Sequence, residues 1–136
     1  MNHKFIINNG ATLNFNLLVF YNKVDNPLRL IKVSSNQFAY RQPDDYLDTQ
    51  GVELGLVWRW KDFKYFFGYT HANVKEHMAF SERTSPLMPK NRVNNVFVYE
   101  RENDFRVGLE AYYYGDQELN DGTMGKDFWI YGLMME

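Results

Sequence analysis

The chain has 136 residues, a formal net charge of −2 and no cysteine, and 18% of its residues are aromatic. This length suits one ordinary domain, and the lack of cysteine excludes a disulfide framework, a thiolate metal site and a cysteine nucleophile. The slight acidity and the absence of a basic cluster argue against nucleic acid as a partner. No run of about 18 apolar residues is present, which excludes a transmembrane helix.

Apolar and polar residues alternate with period two over much of the chain, which predicts β-strands. The clearest example is the segment 51–70, where two alternating runs flank the polar pair Lys61-Asp62 and so predict a tight hairpin. Six strands are predicted in this way, with a further extended run at 28–33 inside a connection. In chain order the six strands are 12–21, 51–60, 63–70, 91–100, 105–114 and 127–136.

The connections between these strands are alternately long and short. Lys61-Asp62 and 101–104 are short and charged, whereas the polar segments 34–48, 72–90 and 115–126 belong to long connections. A meander with short turns at one end and long loops at the other is the layout of bacterial outer-membrane barrels. The predicted fold class is therefore all-β, an antiparallel up-and-down meander.

Each strand presents an apolar face that is rich in aromatic residues and an opposite face that carries charge. The aromatic residues beside the short turns are typical of the girdles at a membrane interface. The same residues would fill the dry core of a soluble antiparallel β-barrel or sandwich that binds a small apolar ligand, and the pattern leaves both interpretations open. The opposite parity includes Glu53, Arg59, Lys64, Arg92, Asn94, Arg106 and Glu110.

Four segments resemble motifs of TonB-dependent outer-membrane receptors, in the order in which that family has them. Residues 20–28 are similar to an upward strand, and 46–54 resemble the G-(V/I)-E strand entry found late in the barrel. Residues 68–73, GYTHAN, resemble the next upward strand, and 86–94, PLMPKNRVN, resemble the segment that enters the following strand.

This resemblance implies a barrel of roughly 22 strands around a plugged lumen in the outer membrane of a Gram-negative bacterium. It also implies uptake of a scarce nutrient, such as an iron–siderophore chelate or cobalamin, powered by the TonB complex acting through a plug segment. On this basis we expect residues 1–136 to be a partial barrel domain from the C-terminal third, without plug or terminal strand. Met1 would then be an internal methionine, and outer-membrane lipid would be a partner.

Three cations and two aromatic residues near the outer loops are the candidate ligand contacts. Arg83, Lys90 and Arg92 would attract an anionic chelate, and Tyr112 and Tyr114 would offer rings for stacking at the outer rim. The chain shows no catalytic constellation, so we expect a receptor rather than an enzyme. We predict no cofactor.

Other polar clusters carry weaker chemical signals. His71, Glu76 and His77 do not have a spacing that one regular element would project together onto a metal. The acidic sets lack the terminal bidentate glutamate of a calcium loop. Glu53 and Glu110 lie on separate strands, and two carboxylates do not establish the acid–base chemistry of an outer-membrane enzyme without a distance between them. The acidic sets are Asp44, Asp45 and Asp48, and Asp116, Glu118 and Asp121.

Overall fold

A computed structural model describes residues 2–7, 10–102 and 104–136, and strands are its only regular elements. The strands are β1 (Asn2–Ile7), β2 (Ala11–Asp25), β3 (Arg29–Ser34), β4 (Gln37–Arg41), β5 (Tyr46–Trp60), β6 (Phe63–Met78), β7 (Ser81–Thr84), β8 (Asn91–Arg101), β9 (Phe105–Tyr114), β10 (Gln117–Glu118), β11 (Met124–Gly125) and β12 (Phe128–Met135). Within the described residues, no helix has the length and apolarity needed to cross a bilayer.

The long strands form one antiparallel sheet in the order β1-β2-β5-β6-β8-β9-β12. Each long strand pairs with the next long strand along the chain, which confirms the predicted meander. The short strand β7 pairs with the outer end of β6, while β3–β4 and β10–β11 form two separate small hairpins within the long connections. All long connections therefore lie at one end of the sheet, which we call the outer end.

The register brings one alternating set of mostly apolar residues from all these strands onto the same face, here called the apolar face. Leu56, for example, pairs with Phe15 on β2 and with Phe67 on β6, and Phe67 pairs with Asn95 on β8. Five such rows follow one another from the short turns outward. On β5 and β6 they are Trp60–Phe63, Trp58–Tyr65, Leu56–Phe67, Leu54–Tyr69 and Val52–His71.

Aromatic rings line this face close to the short turns, as predicted. Phe63 contacts the rings of Trp60, Phe97 and Tyr99, with centroids 5.1–6.3 Å apart, and Tyr99 lies 5.6 Å from Phe105. A second aromatic group lies three rows farther out, where Tyr113 and Trp129 have centroids 5.1 Å apart. Aromatic residues also occur in the rows between these two groups, with Tyr65 and Phe97 in the second row and Phe15 and Phe67 in the third.

The opposite side of the sheet combines charged, small and apolar residues, and we call it the mixed face. Near the short turns it carries a row of ion pairs across four strands. Lys64 Nζ lies 2.6 Å from Glu100, Arg106 NH2 lies 3.6 Å from the same carboxylate, and Arg106 NH1 lies 3.4 Å from Glu136. Charges that alternate between neighbouring strands favour this pairing register.

The predicted short turns are present. Lys61 has φ 51°, a left-handed conformation that closes the two-residue turn between Trp60 and Phe63. In the second turn the Asp104 amide donates to the Arg101 carbonyl at 3.1 Å, and Asn103 lies outside the described residues.

Four sequence predictions about strands are wrong. β2 continues to Asp25, although this strand was predicted to end at Tyr21. The N-terminal segment forms β1, so the main sheet path has seven strands rather than six. Tyr46–Asp48 belongs to β5, and the segment from Ala72 to Met78 continues β6, although both were predicted to lie in connections. These residues pair with each other from Gly51–Ala72 out to Tyr46–His77.

The sheet has no second layer over its apolar face. Among the described residues, only Ala11, Val74 and Val98 are buried apolar side chains, and no large side chain is below 2% exposure. Leu109 and Leu133 pair directly and are 57% and 66% exposed, respectively. A soluble sandwich would bury these residues against a second sheet, so the structure gives the soluble alternative no support.

Candidate functional site

Three of the five predicted ligand contacts lie side by side on the mixed face near its outer end. Arg92 pairs with Tyr114. Tyr112 pairs with Asn94 in the next row of the same face toward the short turns. We call Arg92, Tyr112 and Tyr114 the Arg92 patch. Its position follows from the short 101–104 turn, because that turn sets the register between β8 and β9 and so brings the arginine opposite the tyrosines.

The Arg92 patch offers one uncompensated cation and an aromatic surface. Arg92 is exposed, and its side chain has no hydrogen bond or ion pair within the part of the chain that the structure describes. The Tyr114 ring stacks on Phe128 of β12, with centroids 5.1 Å apart and planes 16° apart. A free guanidinium beside rings suits an anionic group attached to a planar one.

Arg83 lies apart from this patch because a buried carboxylate holds it. Glu76 is 7% exposed, and its Oε2 accepts from Arg83 Nε and lies 2.8 Å from Arg83 NH2. Its Oε1 accepts from the Ser85 hydroxyl at 3.1 Å. Burial raises the pKa of Glu76, but the hydrogen bonds and charges of Arg29 and Arg83 outweigh it and hold the pKa below its ordinary value of 4.5.

Arg29 extends this cluster to another loop. Its NH1 donates to Glu76 Oε2 at 2.7 Å, and its Nε lies 3.4 Å from Asp45 Oδ2. Arg29 starts β3, whereas Arg83 belongs to β7, so one carboxylate on β6 joins the β3–β4 hairpin to the β6–β7 hairpin. We call Arg29, Asp45, Glu76, Arg83 and Ser85 the Glu76 cluster.

Lys90 also lies apart from the Arg92 patch. Its backbone carbonyl accepts from the Ala72 amide at 2.9 Å, which places it just before β8 begins. Its side chain lines a groove that contains His71 and Asn73. The structure thus separates the five predicted residues into three locations.

The other polar candidates do not converge. Glu53 and Glu110 lie on β5 and β9 with two strands between them, which is about 14 Å across the sheet at the usual strand spacing. They also lie in different rows, because the row of Glu53 leads through Thr70 and Arg92 to Tyr114, four residues from Glu110. His71 and His77 have apolar-face parity, whereas Glu76 has the opposite parity. Within the described residues, no three histidine or acidic side chains come together in a way that could hold a metal ion.

Acidic residues of the 115–126 connection accept hydrogen bonds from neighbouring residues. Asp121 accepts from the backbone amide and the hydroxyl of Thr123, at 3.0 and 2.7 Å, and these bonds lower its pKa. Asp116 accepts from the Asp127 amide at 3.1 Å. These bonds stabilise turns, as side-chain acceptors in Asx turns commonly do.

The Glu76 cluster was missed in the sequence. The residues 72–78 lack apolar alternation, so no strand was predicted there and the face of Glu76 could not be assigned. The pairing of Glu76 with both Leu47 and Arg83 is visible only in the ladder. The one available signal was a carboxylate seven residues before an arginine, a spacing that a hairpin brings together.

Comparison with known proteins gives one match. The family model described as "TonB dependent receptor-like, beta-barrel" matches residues 6–135. No curated protein and no solved structure matches the chain. The match covers six strands of the main sheet path in full and the last two residues of β1.

Proposed function

Because the chain belongs to the TonB-dependent receptor-like β-barrel family, we propose that it forms part of an outer-membrane barrel that imports a scarce nutrient. Proteins of this family are outer-membrane receptors and transporters rather than enzymes. The proposed nutrient is an anionic metal chelate such as an iron–siderophore, with cobalamin as the other candidate. The energy would come from the TonB complex acting on a plug segment within the lumen.

The apolar face carries this proposal, although Asn95 interrupts its third row and accepts a hydrogen bond from the Tyr65 hydroxyl at 2.7 Å. Its five rows extend over about 20 Å for tilted strands, close to the roughly 25 Å apolar band of outer-membrane barrels. The cited aromatic pairs occupy the first and fourth of these rows, and rings near the ends of a membrane-spanning band are typical of interface girdles. The mixed face would then face the lumen, where water accepts Glu53, Arg59 and Arg92.

Both edges of the sheet also support a larger barrel. β1 and β12 each pair on one side only, and an open edge inside a bilayer leaves backbone amides and carbonyls without partners. We therefore propose residues 1–136 as a section of a closed barrel, with further strands pairing at β1 and β12.

The Arg92 patch is the proposed ligand contact. It lies on the proposed lumen face, near the outer end, where an incoming ligand would arrive first. Arg83 and Lys90 are less suited to this role, because Glu76 occupies two nitrogens of Arg83 and Lys90 lines a groove elsewhere.

Uptake by intact receptor in cells tests this role. The probes are iron-labelled citrate, hydroxamate and catecholate chelates, together with cobalt-labelled cobalamin. We expect Arg92→Gln to raise the half-saturating concentration of the imported chelate about tenfold, since a charge-assisted hydrogen bond is lost. Lys126→Gln, an exposed loop lysine, is the matched control and should leave uptake unchanged. Equal uptake by Arg92→Gln and wild type would remove the patch from the ligand path.

A further inference from the structure

A groove of about 730 Å³ opens on the outer part of the sheet. Six of its nine lining residues have apolar-face parity, and the backbone around Gly51 forms its floor. These six residues form two register rows: Val19, Val52 and His71 in the inner row, and Tyr21, Gln50 and Asn73 in the outer row.

This groove lies where the apolar face stops being apolar. The inner row contains two valines and is the last of the five apolar rows. The outer row contains two amides and a tyrosine, and the row beyond it pairs Asp48 with Lys75. In a barrel oriented as proposed above, this step marks the level at which acyl chains give way to headgroups in the outer leaflet.

The charge of the groove is positive. Lys90 is exposed, and among the described residues its ammonium has no ion pair, while no carboxylate lines the groove. Asp48 lies one row farther out, where its Oδ2 is 3.3 Å from His77 Nε2. The His71 imidazole also lines the groove, and its Nδ1 lies 2.8 Å from Asn91 Oδ1.

We propose that this groove binds the phosphorylated headgroup of an outer-leaflet lipid. The Lys90 ammonium would meet the phosphate, and the Gln50 and Asn73 amides would donate to other headgroup oxygens. The acyl chains would descend over Val19 and Val52, which are on the membrane side of the groove. The inference rests on the membrane placement proposed above, but it does not require the Arg92 patch to bind a nutrient.

Native mass spectrometry of the intact receptor, released from nanodiscs, tests the proposal. The nanodiscs contain phosphatidylcholine with a minor fraction of phosphatidylglycerol, and the spectrum counts each lipid that stays bound. Wild type should retain phosphatidylglycerol in preference to phosphatidylcholine. Lys90→Gln should reduce this preference about fivefold, the effect expected for one lysine at an anionic surface.

Two further variants and one buffer additive separate lipid binding at Lys90 from other causes of the same result. Lys90→Arg keeps the charge and should keep the preference, which separates charge loss from misfolding. Lys32→Gln removes an exposed lysine on the β3–β4 hairpin and should have no effect. An equal loss in Lys32→Gln, or wild type without any preference, would overturn the proposal. Displacement of the lipid by inorganic phosphate in the buffer would assign the groove to a soluble anion instead and would also overturn it.

Failure of this inference can be told apart from failure of the proposed function. A receptor that does not enter nanodiscs contradicts the membrane placement and therefore both proposals. Normal nutrient uptake by a receptor without lipid preference contradicts the lipid site alone.

Discussion

The wall of the sheet and its outer extension are held together by different forces. In the wall, from the Trp60–Phe63 row to the Val52–His71 row, one face is mainly apolar and the other combines charged, small and apolar side chains. In the extension, from Gln50–Asn73 outward, the same backbone ladder continues, but amide and charged side chains replace the apolar ones on the apolar-face parity, and the Glu76 cluster joins the hairpins. The backbone pairing of the strands therefore continues where the apolar face ends. The apolar face is confined to the part of the sheet that lipid would cover.

The largest expected effect comes from a charge in the middle of the wall. Leu56→Arg places a guanidinium in the third of five apolar rows and should cost about 2–4 kcal/mol in a bilayer. The matched control is Asn16→Arg on β2, which is exposed on the mixed face one row above. The unfolding midpoints of both variants are measured by urea titration of the intact receptor in lipid, with the shift of the unboiled band on a gel as the readout. Similar midpoints for the two variants would contradict the assignment of faces.

A smaller effect is expected where the wall meets the extension. A Cβ on Gly51 would lie 2.3 Å from the His71 carbonyl oxygen and 2.6 Å from Phe20 Cζ. Gly51→Ala therefore requires a backbone shift and should cost about 1–3 kcal/mol. Gly55→Ala is the control, because its nearest atom lies 3.9 Å away. In the same assay, the unfolding midpoint of Gly51→Ala should be well below that of Gly55→Ala, and a reversed order would contradict the described packing.

The smallest effect should be confined to the extension. Glu76→Gln removes the charge that joins Arg29 to Arg83, for a local loss of about 1–2 kcal/mol. A nitroxide label on Asn36→Cys, in the turn between β3 and β4, should become more mobile while the unfolding midpoint of the wall stays unchanged. Glu82→Gln is the control, since Glu82 pairs with Lys75 and His77 and does not contact Arg29. Equal mobility in both variants would show that Glu76 does not couple the hairpins.

Acid should reproduce the Glu76→Gln effect in the wild type. The folded-state pKa of Glu76 lies below its ordinary value of 4.5. Its contribution is therefore complete above that value and is lost as the pH falls through the lowered pKa. The nitroxide on residue 36 should stay restrained at neutral pH and loosen only in acid, whereas in Glu76→Gln it should be mobile throughout.

The wall could be predicted from the sequence because one continuous apolar face imposes period two on its strands. Trp58, Leu56 and Leu54 show this on β5. Tyr46–Asp48 and Ala72–Met78 escaped prediction because their ladder is stabilised by backbone hydrogen bonds and charges, which leave no apolar alternation.

The same reason limited the prediction of the site. Tyr112 and Tyr114 share a face by strand parity alone, and the short 101–104 turn sets Arg92 opposite them. Arg83 and Lys90 belong to segments whose conformation depends on contacts between distant loops, such as Arg83 with Glu76 and the Ala72 amide with the Lys90 carbonyl. Sequence periodicity contains no information on those contacts.

Spin labels along β5 test the central claim, that the apolar face contacts lipid, most directly. The chain has no cysteine, so single cysteines at 53 to 58 can be labelled one at a time in the intact receptor. We predict that oxygen accessibility is high at 54, 56 and 58, and that a water-soluble nickel chelate reaches 53, 55 and 57 instead. The opposite phase, or no alternation, would contradict the account.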